Sequence, residues 1–136
     1  FSMLQEFMAA WIGVPIGSYW QVSTNFHAYV ETMEKHKSLL ELPIGNDEYA
    51  TGEVAPFPMV NTHIEQWQRE LSMFMENPAA IGFEDKFFKK VAVPIAASWS
   101  LYKKKDYMGA VNCLIDNCVA SDWQKACIEW IERRAK

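Results

Sequence analysis

Apolar residues recur along this chain at spacings of three and four, the period that gathers them on one face of an α-helix. Leu4, Phe7, Met8, Trp11 and Ile12 make the first stripe, ended by Gly13 and Pro15. A second runs Val22, Phe26, Tyr29, Val30, Met33, Leu40, and a third Ile64, Trp67, Leu71, Phe74. The fourth, Phe87, Phe88, Val91, Ile95, Trp99 and Tyr102, is crossed by Pro94, which should kink or interrupt it. Tyr107, Ala110, Val111, Leu114 and Cys118 form the fifth, and Trp123, Ala126, Cys127, Trp130 and Ile131 the sixth. No segment alternates as a half-buried strand would. The pattern predicts an all-α protein, a compact bundle of about six helices with helical-hairpin packing, in one domain over residues 1–136.

Helix starts are legible as well. A Ser or Thr followed three residues later by Glu or Gln can satisfy two orphaned backbone donors. That pattern occurs at Ser18–Gln21, Thr62–Glu65 and Ser121–Gln124, and Asp106 is positioned to cap the fifth stripe. Between the second and third stripes lies one long loop, about 42–58, with turn residues Gly45, Asn46 and Asp47 and with Pro56 and Pro58. A connection of that length is often a functional one.

The run "AASWSLYKKKDYMGAVNCLIDN" resembles a single tetratricopeptide-type hairpin, through Leu101 and Tyr102, the polar Lys105–Asp106 turn, then Tyr107, Ala110 and Leu114. Pro94 and Ser98 depart from that pattern, and no second copy follows at a period near 34 residues, as a solenoid would require. The resemblance implies helical-hairpin architecture.

Charge refines the picture. The net −4 divides into −7 over residues 1–80 and +3 over 81–136, where Lys86, Lys89, Lys90 and Lys103 to Lys105 gather. A net acidic chain binds phosphate backbones poorly, so a nucleic-acid partner is not expected. The three cysteines are odd in number and lie in helical patterns, which favours packing and a reducing cytoplasm over a disulfide framework. The apolar stretch "FMAAWIGVPIGSYW" is too short to span a bilayer and lacks the basic lead-in of a secretory signal.

Chemistry is sparse. No nucleophile elbow, zinc-protease helix or phosphate-cradling loop occurs. His27 with Glu31, and His63 with Glu65, do not have the spacing of paired metal-ligating motifs, and neither a metal nor a cofactor is expected. These features lead to the expectation of a non-enzymatic protein-binding domain, of the inhibitor, immunity or adaptor kind. It would engage a basic protein partner through Asp47, Glu48, Tyr49 and Glu53. The alternative is a small-molecule or metal-binding domain with a site between helices near His27 and His63. Self-association through the apolar N-terminal helix is a further expectation.

Overall fold

The computed structural model describes residues 2–22, 29–38, 45 and 47–135. Their helices are α1 (Ser2–Ile12), α2 (Val30–Lys35), α3 (Glu48–Thr51), α4 (Ile64–Glu76), α5 (Val93–Lys103), α6 (Tyr107–Asn117) and α7 (Ser121–Glu132), with a π-helical turn over Phe88–Ala92 leading into α5. There is no strand among the described residues, and the all-α expectation holds.

Pro94 explains the π turn. Proline has no N–H to return to the carbonyl four residues back, and its ring crowds that carbonyl. The carbonyl concerned is that of Lys90, and it accepts a hydrogen bond from the Val119 N–H at 3.1 Å instead. The helix is therefore re-registered by one wide turn rather than broken, and the freed acceptor ties it to the α6–α7 connection.

From α5 the chain reverses through Lys104, Lys105 (φ 66°) and Asp106 into α6. The Asp106 carboxylate accepts from the Gly109 N–H at 2.9 Å, the cap expected from sequence. A Cβ on Gly109 would fall 2.2 Å from that carboxylate, so glycine lets the cap approach. Ser98 donates to the Ala110 carbonyl at 2.8 Å and the Cys113 thiol to that of Pro94 at 3.8 Å. Those pairings run in opposite directions along the two helices, which makes α5–α6 an antiparallel hairpin. Small Ser98 and Ala110, both buried, permit the close approach.

Two clusters form the core. Val91, Ala110, Leu114, Cys118, Ala120 and Ile131 join α5, α6 and α7. The second gathers Ile64, Trp67, Phe83 and Phe88, with Phe7 and Ala10 of α1 leaning on it. Phe88 is its hub, 5.4 Å from the Trp67 ring and 5.8 Å from those of Phe74 and Phe83. Each such pair adds about 0.5–1.5 kcal/mol beyond burial alone. Phe87, 5.6 Å from both Phe88 and Trp123, bridges the clusters.

The capping boxes do not form as the sequence predicts. Residues 14–22 contain no helix, because the Gln5 amide donates to the Gly17 carbonyl at 2.9 Å and holds that segment across α1. Only Val30–Lys35 of the expected second helix is α-helical among the described residues, and Phe26, His27 and Leu40 lie outside them. The Thr62 hydroxyl donates to Asp85 at 2.9 Å, leaving His63 at the N-cap of α4 without a side-chain bond. The Ser121 hydroxyl accepts from the Ala55 N–H at 3.0 Å, while Gln124 donates to the Leu114 and Cys118 carbonyls, both at 3.0 Å. In all three, tertiary partners outcompete the local cap.

Candidate functional site

The long loop between α2 and α4 contains the single-turn helix α3. Asp47 starts it by accepting from the Tyr49 N–H at 3.0 Å, and Gly52 ends it in the left-handed conformation (φ 77°). Val54 buries itself beyond that turn. Of the four loop residues singled out from sequence, Asp47 caps this turn and Glu48, Tyr49 and Glu53 meet the start of α7. Lys125 donates to Glu48 at 2.7 Å and lies 3.8 Å from Glu53, and the Tyr49 hydroxyl donates to Asp122 at 3.4 Å. The acidic loop is thus paired within the chain. Burial and the adjoining Asp122 carboxylate raise the pKa of the Tyr49 phenol, and the hydrogen bond to Glu48 raises that of Lys125.

Beside this contact, α1, the segment after it, α3 and α7 enclose a cleft of about 590 Å³. Tyr19, Tyr49, Phe57 and Trp123 give it aromatic walls, and Gln5, Glu6 and Asp122 give it polar groups. Glu6 reaches it because its carboxylate accepts from the Met59 N–H, which also fastens α1 to the loop. Among the described residues no Arg or Lys lines the cleft, so its electrostatics disfavour an anion. Cys127 lies at its edge, and burial raises its thiol pKa. Nothing there activates it as a nucleophile, and it stays a protonated thiol at neutral pH.

Gln5, Glu6, Tyr19 and Asp122 were not singled out from the sequence. They belong to three separate segments, and no local motif links them. The one legible hint is the i, i+4 spacing of Trp123 and Cys127 on α7, which puts both on the cleft side.

A second carboxylate arrangement was also missed. Asp85, fully buried, accepts from the Asn61 N–H and Thr62 hydroxyl at 2.8 and 2.9 Å, and from the Phe87 N–H at 2.8 Å. Glu70, nearly buried, accepts from the Glu84 and Asp85 N–H groups, each at 3.1 Å, and from the Gln66 amide at 3.0 Å. These acceptors are saturated by backbone and neighbouring donors, as structural carboxylates are.

Among the described residues the metal-site alternative finds no geometry. His63 is exposed and pairs with Glu65, while His27 lies outside the described residues. Among the described residues, no group of three or more His, Cys, Asp or Glu is gathered to hold a metal. Nor is any described helix long and apolar enough to cross a membrane.

Over 144 aligned residues the chain is 40% identical to the deoxyuridylate hydroxymethyltransferase of Pseudomonas phage M6. The alignment takes in 98% of this chain and 41% of that protein, so the chain spans well under half the length of its relative. No family model and no solved structure matches it. The likeness to an enzyme overturns the expectation of a non-enzymatic binding domain of the inhibitor, immunity or adaptor kind. That expectation failed because it rested on the lack of a contiguous catalytic motif, whereas residues of an active site converge from distant segments.

Proposed function

We propose that this chain takes part in hydroxymethyl transfer to deoxyuridylate, the activity named for its phage relative. The observation that carries the reading is 40% identity sustained over 98% of the chain. Such a transfer displaces a proton from deoxyuridylate and draws a one-carbon unit, at the oxidation level of formaldehyde, from a donor. In this reading the cleft between α1 and α7 meets the uncharged ring of a reactant. Its aromatic walls suit stacking, while Glu6 and Asp122 would repel a phosphate. We assign Asp122 the role of proton acceptor.

The test is to incubate the purified protein with deoxyuridylate and a formaldehyde-level one-carbon donor, and to follow the nucleotide by mass spectrometry. A gain of one CH₂O unit is expected. Asp122→Asn should lower kcat by about 100-fold or more while leaving the fold intact. A protein that is folded and yields no hydroxymethylated nucleotide with any donor of that class would overturn the reading. An unchanged kcat in the Asp122 variant would remove the cleft from it.

A further inference from the structure

The side of α1 that does not lean on the core presents Leu4, Met8, Trp11 and Ile12, at spacings of four, three and one that share a helix face. Each of them is 51–65% exposed. Phe7 ties this stripe to the molecule, its ring 5.9 Å from that of Trp11 and 5.5 Å from that of Trp67. With Met8, Trp11 and Ile12 it lines an open apolar groove. Val14 carries the face past the helix end, where its N–H donates to the Ala9 carbonyl at 3.0 Å and its side chain stays exposed.

Charge is absent from this face. Glu6 is the single charged side chain among residues 2–22, and its carboxylate is held at the Met59 N–H, on the cleft side of α1. Leu4, Met8, Trp11, Ile12 and Val14 leave on the order of 500 Å² accessible, within the roughly 300–600 Å² of the largest patch on a typical monomer, a patch that is often functional. Two copies joined through it would bury about 1,000 Å², the lower limit for a specific interface.

The same features select the occupant. A charged partner would find no counter-charge here. A membrane-surface helix draws on Lys and Arg beside its apolar face, whereas residues 2–22 contain neither, and the net charge of −4 opposes an anionic headgroup. A second copy brings an identical uncharged stripe, self-complementary as a two-fold contact requires. We propose that α1, through Leu4, Met8, Trp11, Ile12 and Val14, is the contact by which two copies of this chain pair as a weak two-fold dimer. The inference uses the face of α1 away from the α1–α7 cleft and does not depend on the enzymatic reading.

The test is sedimentation velocity on the whole chain over a wide concentration range. The mean mass should rise from one chain to two, with a dissociation constant on the order of 100 μM, as suits an interface of this size. Added salt should leave pairing unchanged or tighten it, because it screens the like charge of the two copies. Met8→Glu with Trp11→Glu should weaken pairing about 30-fold or more, and the neutral Trp11→Gln about tenfold. Met108→Glu with Ile115→Glu, which adds the same charge at exposed positions of α6, should leave it nearly unaltered. In dilute solution, where the chain is single, every variant should keep the parent's urea midpoint. The proposal is overturned if the chain stays single up to about 1 mM. It is also overturned if the α1 variants pair as the parent does, or if the mass climbs beyond two chains, which would mean open-ended stacking. Tighter binding to phosphatidylcholine vesicles than to a second copy, lost with Met8→Glu and Trp11→Glu, would assign the face to a lipid surface instead.

Discussion

The α5–α6–α7 region and the N-terminal segment are both rich in apolar residues, yet they use them in opposite ways. In the first, Val91, Ala110 and Leu114 are wholly buried, and the neighbouring rings close over them. In the second, α1 and α2 contain no buried residue, and Met3, Leu4, Met8, Trp11 and Ile12 each stand more than half exposed. Phe7 and Ala10 alone lean on the aromatic cluster, helped by the Glu6 and Gln5 contacts. An apolar stripe is necessary for a core, but it becomes one only where a facing element supplies a second stripe. The α5–α6 hairpin provides its own through a three-residue turn.

The contrast can be broken or sharpened by measurement. The largest effect should come from Leu114→Ala, which removes a fully buried side chain where α6 meets α7. A loss of about 2–5 kcal/mol is expected in urea unfolding. Next comes Asp85→Ala, which strands the Asn61 and Phe87 amides and the Thr62 hydroxyl without their acceptor. About 3 kcal/mol should be lost, and hydrogen exchange should rise at 61 and 87.

A smaller effect lies at the contact between α3 and α7. Tyr49 and Lys125 both have folded-state pKa values above their ordinary ones, so the folded chain keeps protons that the unfolded chain has already released. Their contribution is complete below about pH 10 and is lost as pH rises past it. The thiols of buried Cys118 and half-buried Cys127 shift in the same direction, from a lower starting point, and should begin the decline. Melting temperature should therefore fall on the alkaline side, and Tyr49→Phe with Lys125→Met should flatten the upper part of that slope. A melting temperature that climbs with alkalinity would contradict the assignment. The smallest effect belongs to the N-terminal segment, where Trp20→Ser and Ile12→Ser should each change stability by no more than about 0.5 kcal/mol. A loss comparable to that at Leu114 would show that this surface is part of the core after all.

Helical period, the Asp106 cap and the turn at Lys104 and Lys105 are local properties, carried by residues a few positions apart, and they were legible in the chain. So was the hairpin implied by the tetratricopeptide-like run, because Ala110 is small where two helices must meet; Ser98, a departure from that pattern, proves to be its small partner. Pro94 announced a disturbance in its helix without revealing its form; the π turn depends on Val119, which takes up the Lys90 carbonyl from a distant connection.

What the sequence could not decide were contests between local and remote partners. Thr62 and Ser121 carry capping side chains, but Asp85 and Ala55 claim them. Glu48 and Glu53 read as an acidic surface, and nothing local announces that Lys125, more than seventy residues later, pairs with both. The α1–α7 cleft shares this origin, for its walls come from segments far apart in the chain, and only the return of α7 against α1 brings them together. Periodicity fixes which face of a helix is apolar; the free energy of burying that face is realised only when tertiary structure supplies its partner.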